Sequence, residues 1–324
     1  MEYEIFALSQ CKELGEKIAK NLDKELSPLE TEVFSDGEIS VSFPNSLRGK
    51  HVYIVGSTNP NADNFMELLL AIDAASIAGA YKVHVVTPYY GMARQDKKGK
   101  TRSALGARVV AKCLEANGAD SVMCVDLHAS QIQGFFSNST PVIEVEGKDI
   151  FAPILKEIVN PEEWLICSPD AGGGVRAKKM AKQLGLGMVM MDKTRDKPNS
   201  IGNMVLIGDV KDKKVIIVDD MVDTAGTLCS SAEVLLEKGA TEVSACIAHG
   251  ILSGVAYERI GNSKLKTLYI SDTIPVKRVN ALGVSIPSNI RTISCSDTIS
   301  KIIKATRENS SIDETIKGIY EQHT

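Results

Sequence analysis

Val215-Ile216-Ile217-Val218-Asp219-Asp220-Met221-Val222-Asp223-Thr224-Ala225-Gly226-Thr227 opens with four β-forming apolar residues and closes on a small, polar turn. An unbroken run of valine and isoleucine makes a strand buried on both faces, as in a parallel sheet. An acidic pair, Asp219 and Asp220, follows at the carboxyl end of that strand, and the turn containing Gly226 opens a helix. In open α/β sheets, ligands collect beyond the carboxyl ends of strands. The first N–H groups of a new helix there form a cradle for phosphate. Two carboxylates beside such a cradle repel a bare anion, but they suit a ligand that also brings hydroxyl donors. The carboxylates then accept from sugar hydroxyls while the backbone of Thr224–Thr227 holds the phosphate. A sugar phosphate is the indicated ligand. A plain strand end with an Asp helix cap accounts for one acid, and poorly for three followed by T-A-G-T.

Working outward from this stretch, short β-rich runs alternate with helical patterns along the whole chain. Strands are expected at Tyr3–Leu8, His51–Val55, Lys82–Thr87, Ser121–Asp126, Trp164–Ser168, Met188–Met191, Lys214–Val218, Glu242–Ala248 and Lys266–Ile270. Helices are expected at Asn64–Ala78, Ala104–Ala116, Val175–Leu184 and Thr227–Lys238. Such alternation gives βαβ units and largely parallel sheets flanked by helices. One phrase recurs: Gly79-Ala80-x-x-Val83, Gly118-Ala119-x-x-Val122 and Gly239-Ala240-x-x-Val243. Glycine there supplies a left-handed helix end, and valine begins a buried strand. His128 and His249 each lie ten residues past the second and third of these glycines. The repeat points to two similar α/β domains in tandem, 1–145 and 146–324, joined near Pro141–Gly147. A chain of 324 residues suits two domains of middling size.

The balance of 37 basic and 41 acidic side chains, a net charge of -4, argues against a nucleic-acid binder. Seven scattered cysteines form no C-x-x-C pair, so neither a zinc ribbon nor a thioredoxin-type site is indicated. The opening M-E-Y-E-I-F lacks the order of a signal peptide, and no apolar run approaches the ~20 residues of a membrane span. A soluble, cytoplasmic protein with no membrane partner is expected.

Other segments carry chemistry in their residue types. Phe34-Ser35-Asp36-Gly37-Glu38 precedes an alternating strand, and D-G by itself is a hairpin turn. Tyr89-Tyr90-Gly91-Met92-Ala93-Arg94-Gln95-Asp96 leaves a strand and runs into a basic stretch containing Lys97, Lys98, Lys100 and Arg102. His128 stands in V-D-L-H just past a buried strand, and Asp170 stands in S-P-D-A-G-G-G, whose glycines let a diphosphate approach backbone N–H groups. Met190-Met191-Asp192-Lys193-Thr194-Arg195-Asp196-Lys197 leaves a strand as a charged loop in which Lys193 and Arg195, two apart, project to one side. No G-x-x-x-x-G-K-[ST] string occurs, so an ATP site here is not a P-loop.

The Val215–Thr227 run resembles the loop shared by type I phosphoribosyltransferases and ribose-phosphate pyrophosphokinases, and the remaining motifs resemble the second family in their order along the chain. The resemblance implies two tandem type I phosphoribosyltransferase-like domains, with the C-terminal segment packing back on the first. It implies transfer of the β,γ-diphosphate of ATP to the 1-hydroxyl of ribose 5-phosphate, for nucleotide biosynthesis. ATP is then bound by Phe34, Asp36, Gly37, Glu38, Arg94 and Gln95. Ribose 5-phosphate is bound by Arg195, Asp219, Asp220, Asp223, Thr224, Ala225, Gly226 and Thr227. Mg²⁺ is held at His128 and Asp170, and Lys193 and Arg195 are catalytic. Thr194 departs from the family's common K-R-R loop, which puts the role of the middle position in doubt. A homo-oligomer, a hexamer or other assembly of dimers, is implied as well, in which the Phe34–Glu38 segment reaches a site shared with a neighbouring subunit. Two other readings stay open at this point. A phosphoribosyltransferase shares the 215–227 loop, and a silent regulatory homologue keeps the fold without the chemistry.

Overall fold

The structure, a computed structural model, describes residues 2–194 and 203–321. Two compact units divide the chain. The first comprises residues 1–146, 273–275 and 295–315, and the second the remainder. In chain order the first 146 residues form β1 (Tyr3–Ala7), α1 (Lys12–Asn21), β2 (Glu30–Val33), β3 (Ile39–Ser42), β4 (His51–Val55), α2 (Ala62–Ile77), β5 (Lys82–Thr87), α3 (Gly106–Ala116), β6 (Ser121–Val125) and β7 (Val142–Val145). The rest form α4 (Gly147–Leu155), β8 (Trp164–Ser168), α5 (Gly174–Leu184), β9 (Gly187–Thr194), β10 (Asn203–Ile207), β11 (Lys214–Val222), α6 (Gly226–Glu237), β12 (Glu242–Gly250), α7 (Ala256–Asn262), β13 (Leu268–Ser271), β14 (Ile290–Ile293), α8 (Ser296–Arg307) and α9 (Ile312–Glu321).

The first unit is built on a five-stranded parallel sheet in the order β1-β4-β5-β6-β7, with β2 and β3 paired as a separate antiparallel hairpin. Central strands such as β4 bury nearly every side chain, as a sheet covered on both faces requires. Residues 141–147 do not form a free linker: Val142–Val145 is the fifth strand, in register with Val122–Val125 of β6. Its side chains are mostly half-buried, as suits an edge strand of four residues.

Helix α8 returns to this unit after the whole second sheet has been made, and packs along α1. Its Ile299, Ile302 and Ile303 are fully buried, Asn21 donates to the Ser296 hydroxyl (3.3 Å), and the Arg307 guanidinium lies 3.6 Å from the centre of the Tyr3 ring. Burial of each such isoleucine contributes about 1.5–3 kcal/mol.

The second unit holds a seven-stranded sheet in the order β10-β9-β8-β11-β12-β13-β14, parallel except for the β9–β10 pair. From β8 the chain moves to one side through α5 into β9, and after β10 it comes back to lay β11 on the opposite side of β8. Strand order therefore reverses between β8 and β11, and a crevice for ligand opens beyond their carboxyl ends.

The recurring Gly-Ala-x-x-Val phrase does in structure what its residues require. Gly79, Gly118 and Gly239 all take left-handed φ (80°, 101° and 99°). Each following alanine N–H caps the helix just ended, on Ala75, Leu114 and Leu235 carbonyls at 3.0–3.2 Å. Val83, Val122 and Val243 then open β5, β6 and β12 in the core. The paired histidines part company, however. His128 is exposed past the end of β6, whereas β12 runs on through Gly250 and buries His249.

Because α8 supplies core to the first unit, Ile302→Ala is expected to cost about 2–5 kcal/mol. The midpoint of a urea titration followed by tryptophan-independent far-UV dichroism measures it, and an unchanged midpoint contradicts the packing described.

Candidate active site

Strand β11 extends four residues beyond Val218, so Asp219 and Asp220 lie within it and point to opposite faces. Asp220 is buried and Asp219 is half-buried, with the Asp220 N–H donating to Asp219 Oδ1 (2.9 Å). Arg176, in the first turn of α5, brings its Nη1 within 3.9 Å of Asp219 Oδ1 and 3.7 Å of Asp220 Oδ1. Burial, then the neighbouring Asp220 carboxylate, pushes Asp219 well above the usual carboxylate range, and Arg176 only partly offsets this. The pair accordingly holds a proton that an isolated carboxylate loses.

The turn that follows is pinned from outside. Ser253 donates to Asp223 through its hydroxyl and, at 3.0 Å, through its backbone N–H to the Asp223 carbonyl. Arg259 Nη1 donates to the Thr224 carbonyl (2.8 Å). Ala225 takes a left-handed φ of 59°, uncommon for a residue with a Cβ, as the chain swings into α6. Among the described residues the backbone N–H groups of Thr224, Ala225, Gly226 and Thr227 make no hydrogen bond. Four uncommitted donors at the start of a 12-residue helix form an anion cradle, reinforced by the positive end of the helix dipole.

Beyond β8, the neighbour of β11, lies Ser168–Gly173. Asp170 is exposed, its Oδ1 accepts the Gly173 N–H (2.9 Å), and its carbonyl accepts the Ser168 hydroxyl (2.7 Å). Asp170 Oδ2 has no hydrogen-bond partner among the described residues, so one hard carboxylate oxygen stays open. No group of three or more His, Cys, Asp or Glu side chains able to cage a metal occurs among the described residues. That donor set fits Mg²⁺, which binds through one or two carboxylates together with phosphate and water oxygens.

On the other side of β8, strand β9 runs through Thr194, with Lys193 opposite Met204 in the antiparallel ladder to β10. Lys193 is thus the penultimate residue of a strand where the sequence suggests a loop. Arg195 lies outside the described residues.

In the first unit, β5 and β6 are neighbours and their carboxyl ends carry the predicted nucleotide and metal positions. After β5, Tyr89 and Tyr90 are buried, the Tyr90 hydroxyl donating to the Ala107 carbonyl (2.8 Å). Gly91 follows where a Cβ would stand 2.0 Å from the Thr58 carbonyl oxygen, so only glycine passes. Met92 is left-handed (φ 60°) and turns the chain into Ala93–Gln95, leaving Arg94 and Gln95 exposed. Buried Asp96 accepts from Gln131 Nε2 (2.7 Å), tying this turn to the segment after β6. There Asp126 is buried with a positive φ of 40°, and His128 is exposed two residues on.

Phe34–Glu38 forms the turn of the β2–β3 hairpin. Phe34 N–H donates to the Glu38 carbonyl (2.8 Å), Gly37 has φ 96°, and Asp36 Oδ1 accepts the Glu38 N–H (3.1 Å). Phe34 is 46 % exposed. Behind the hairpin, buried Glu67 of α2 accepts from the Thr31 hydroxyl (2.8 Å) and from both donors of Ser9 (2.6 and 3.2 Å), which fixes β2 against the unit.

Residues 3–118 match the model for the N-terminal domain of ribose phosphate pyrophosphokinase, and residues 138–274 the phosphoribosyl transferase domain model. Ribose-phosphate pyrophosphokinase of Campylobacter jejuni is 44% identical over 312 residues, covering 96% of this chain and 98% of that one. The chain belongs to the ribose-phosphate pyrophosphokinase family. Ribose-phosphate pyrophosphokinase A of Dictyostelium discoideum is 42% identical, with 93% of each chain covered. The phosphoribosylpyrophosphate synthetase of Mycobacterium smegmatis superposes with a TM-score of 0.86 at 32% identity, covering 96% of this chain and all of that one.

Three side chains that hold these candidate segments in place within their own units escape a reading of the sequence. Arg176 follows the glycine run by two residues and carries a weak signal, a cation inside the first turn after a phosphate-type loop. Arg259 and Glu67 carry none, because they meet their partners 35 and 36 residues away in sequence.

The acidic pair gives a pH signature. Unfolded, Asp219 titrates near 4; folded, its pKa is raised, so between these values the unfolded chain has lost a proton that the folded one keeps. Stability therefore falls as pH rises through that window. Asp219→Asn removes this cost while retaining the acceptor for the Asp220 N–H. In ligand-free protein its stability relative to the parent is expected to grow by on the order of 1 kcal/mol between pH 5 and pH 8. Urea midpoints across that range check it, and a shrinking difference contradicts a shared proton.

Proposed function

We propose that this chain transfers the β,γ-diphosphate of ATP to O1 of ribose 5-phosphate, giving 5-phospho-ribose 1-diphosphate and AMP. Membership of the ribose-phosphate pyrophosphokinase family supports this reading. The structural observation that carries it is the uncommitted amide cradle of Thr224–Thr227 beside Asp219 and Asp220, at the reversal of strand order in the second sheet.

Asp223, Thr224, Ala225, Gly226 and Thr227 bind the 5-phosphate in this proposal, and Asp219 and Asp220 accept from the ribose hydroxyls. Hydroxyl donors favour the ionised carboxylates, so sugar binding releases the proton that the pair holds when empty. Phe34 offers an aromatic face to adenine, Asp36, Gly37 and Glu38 offer acceptors and backbone, and Arg94 and Gln95 contact the nucleotide. The O1–Pβ bond forms and the O1 hydroxyl proton passes to solvent as the bond from Pβ to the bridging oxygen breaks and AMP departs with that oxygen. Alignment and charge neutralisation dominate such transfers. Lys193 and Arg195 stabilise the charge that grows on the departing and transferring oxygens. His128 and Asp170 hold Mg²⁺, which when bound neutralises phosphate charge.

A homo-oligomer accompanies this reading. Val33 and Phe34 at the hairpin tip are 66 % and 46 % exposed, which suits a segment that reaches a neighbouring copy. Among the described residues no helix is long and apolar enough to cross a membrane, and the cytoplasm is the proposed compartment.

Incubation with ATP, ribose 5-phosphate and Mg²⁺ is expected to yield AMP and the sugar diphosphate in equal amounts. A phosphoribosyltransferase leaves ATP untouched, and a silent regulatory homologue turns over neither substrate. Lys193→Ala is expected to keep both substrate affinities and lose about 10²–10³ in kcat. Near-parental turnover by that variant removes Lys193 from the chemistry.

A further inference from the structure

The anion cradle after β11 depends on one peptide plane. In a trans peptide the carbonyl and the following N–H point in opposite directions. The Thr224 carbonyl is held outward by Arg259 Nη1 at 2.8 Å, and this turns the Ala225 N–H inward, toward the other uncommitted amides of Gly226 and Thr227. Ala225 holds a left-handed φ of 59°, which a residue with a Cβ keeps only where surrounding contacts over-determine it.

The anchor is itself well placed. Helix α7 is fixed by buried Ala256, Tyr257 and Ile260, and the Tyr257 hydroxyl donates to the Lys277 carbonyl (2.5 Å). The Arg259 carbonyl accepts the Cys229 thiol of α6 at 3.8 Å, linking α7 to the helix that the cradle starts. A Cβ on Gly226 would stand 3.3 Å from Arg259 Nη1, so glycine at this position leaves room for the guanidinium behind the turn. Ser253, just before α7, pins Asp223 through its hydroxyl and amide, so consecutive loop residues are held from one side.

We infer that Arg259 is a positioning residue for the sugar-phosphate cradle: it fixes the Thr224–Ala225 peptide so that the Ala225 N–H faces the phosphate, and it adds a positive charge behind that peptide. The inference rests on the proposed use of Thr224–Thr227 to bind ribose 5-phosphate. Arg259 is exposed and lies outside the apolar core, so its replacement leaves the fold intact.

Steady-state kinetics of Arg259→Ala and Arg259→Lys in the full chain test it. Loss of one charge-assisted hydrogen bond predicts a KM for ribose 5-phosphate raised about 10–100-fold in Arg259→Ala. The KM for ATP is expected to stay within about twofold, and Arg259→Lys, which keeps a donor and the charge, to recover part of the loss. A purely structural role moves both KM values together and lowers Tm, and that outcome overturns the inference. So does an unchanged sugar KM in Arg259→Ala, which leaves the cradle reading standing. If the parent chain shows no saturable dependence on ribose 5-phosphate, the cradle reading falls together with the inference.

Discussion

Four backbone N–H groups that meet no acceptor among the described residues are the constraint around which the second unit is arranged. Buried or ordered backbone donors are nearly always satisfied, and a helix start is where they most often are not. Here the helix begins at the place where the strand order reverses, so the open donors face a crevice and not a packed neighbour. Everything close by serves to keep them open: Ser253 and Arg259 take hold of the turn from behind, and Arg176 keeps two crowded carboxylates from driving the strand end apart.

The first unit makes an instructive contrast. Its five parallel strands follow one another across the sheet in chain order, with no reversal and so no such crevice. Its carboxyl edge is shaped instead by backbone strain. Met92 and Asp126, after β5 and β6, both take positive φ, as Ala225 does after β11. These three residues with a Cβ, each in a conformation that costs about 1–3 kcal/mol, follow the strand ends to which the proposed nucleotide, metal and sugar-phosphate residues are assigned. The surrounding contacts must over-determine these turns, and the Tyr90–Ala107 and Asp96–Gln131 bonds show how.

Much of this architecture was legible in the residues. Strands His51–Val55, Lys82–Thr87 and Trp164–Ser168 fall where short runs rich in apolar and β-forming residues are bounded by polar or glycine punctuation. The helix ends at Gly79, Gly118 and Gly239 follow from a single phrase. Legibility fails where tertiary pairing overrides composition. Strand β11 continues through Asp219 and Asp220 because β12 extends alongside, pairing Asp219 with Ile247 and Met221 with His249, and acidic residues give no strand signal of their own. Lys193 joins β9 for the same reason, through its β10 partner. Strand β7, Val-Ile-Glu-Val, is only four residues long and follows Pro141 directly, so its composition alone does not set it apart from a linker. Of the site, residues at the ends of strands could be placed because strand ends are visible, whereas Glu67 and Arg259 act across distances that only the fold closes.

The return of α8 to the first unit bears on how the chain is made. Synthesis proceeds from the amino end at about 5–20 residues per second, and domains tend to fold as they emerge. The sheet of the first unit is complete at Val145, but the helix that covers α1 begins at Ser296. For roughly 150 further residues, on the order of 8–30 s at that rate, α1 waits on the ribosome without the helix that packs along it. Nascent chains of this protein therefore carry an unfinished first unit through nearly half of their translation, and a transcript cut short before codon 296 yields a sheet that is finished and a unit that is not.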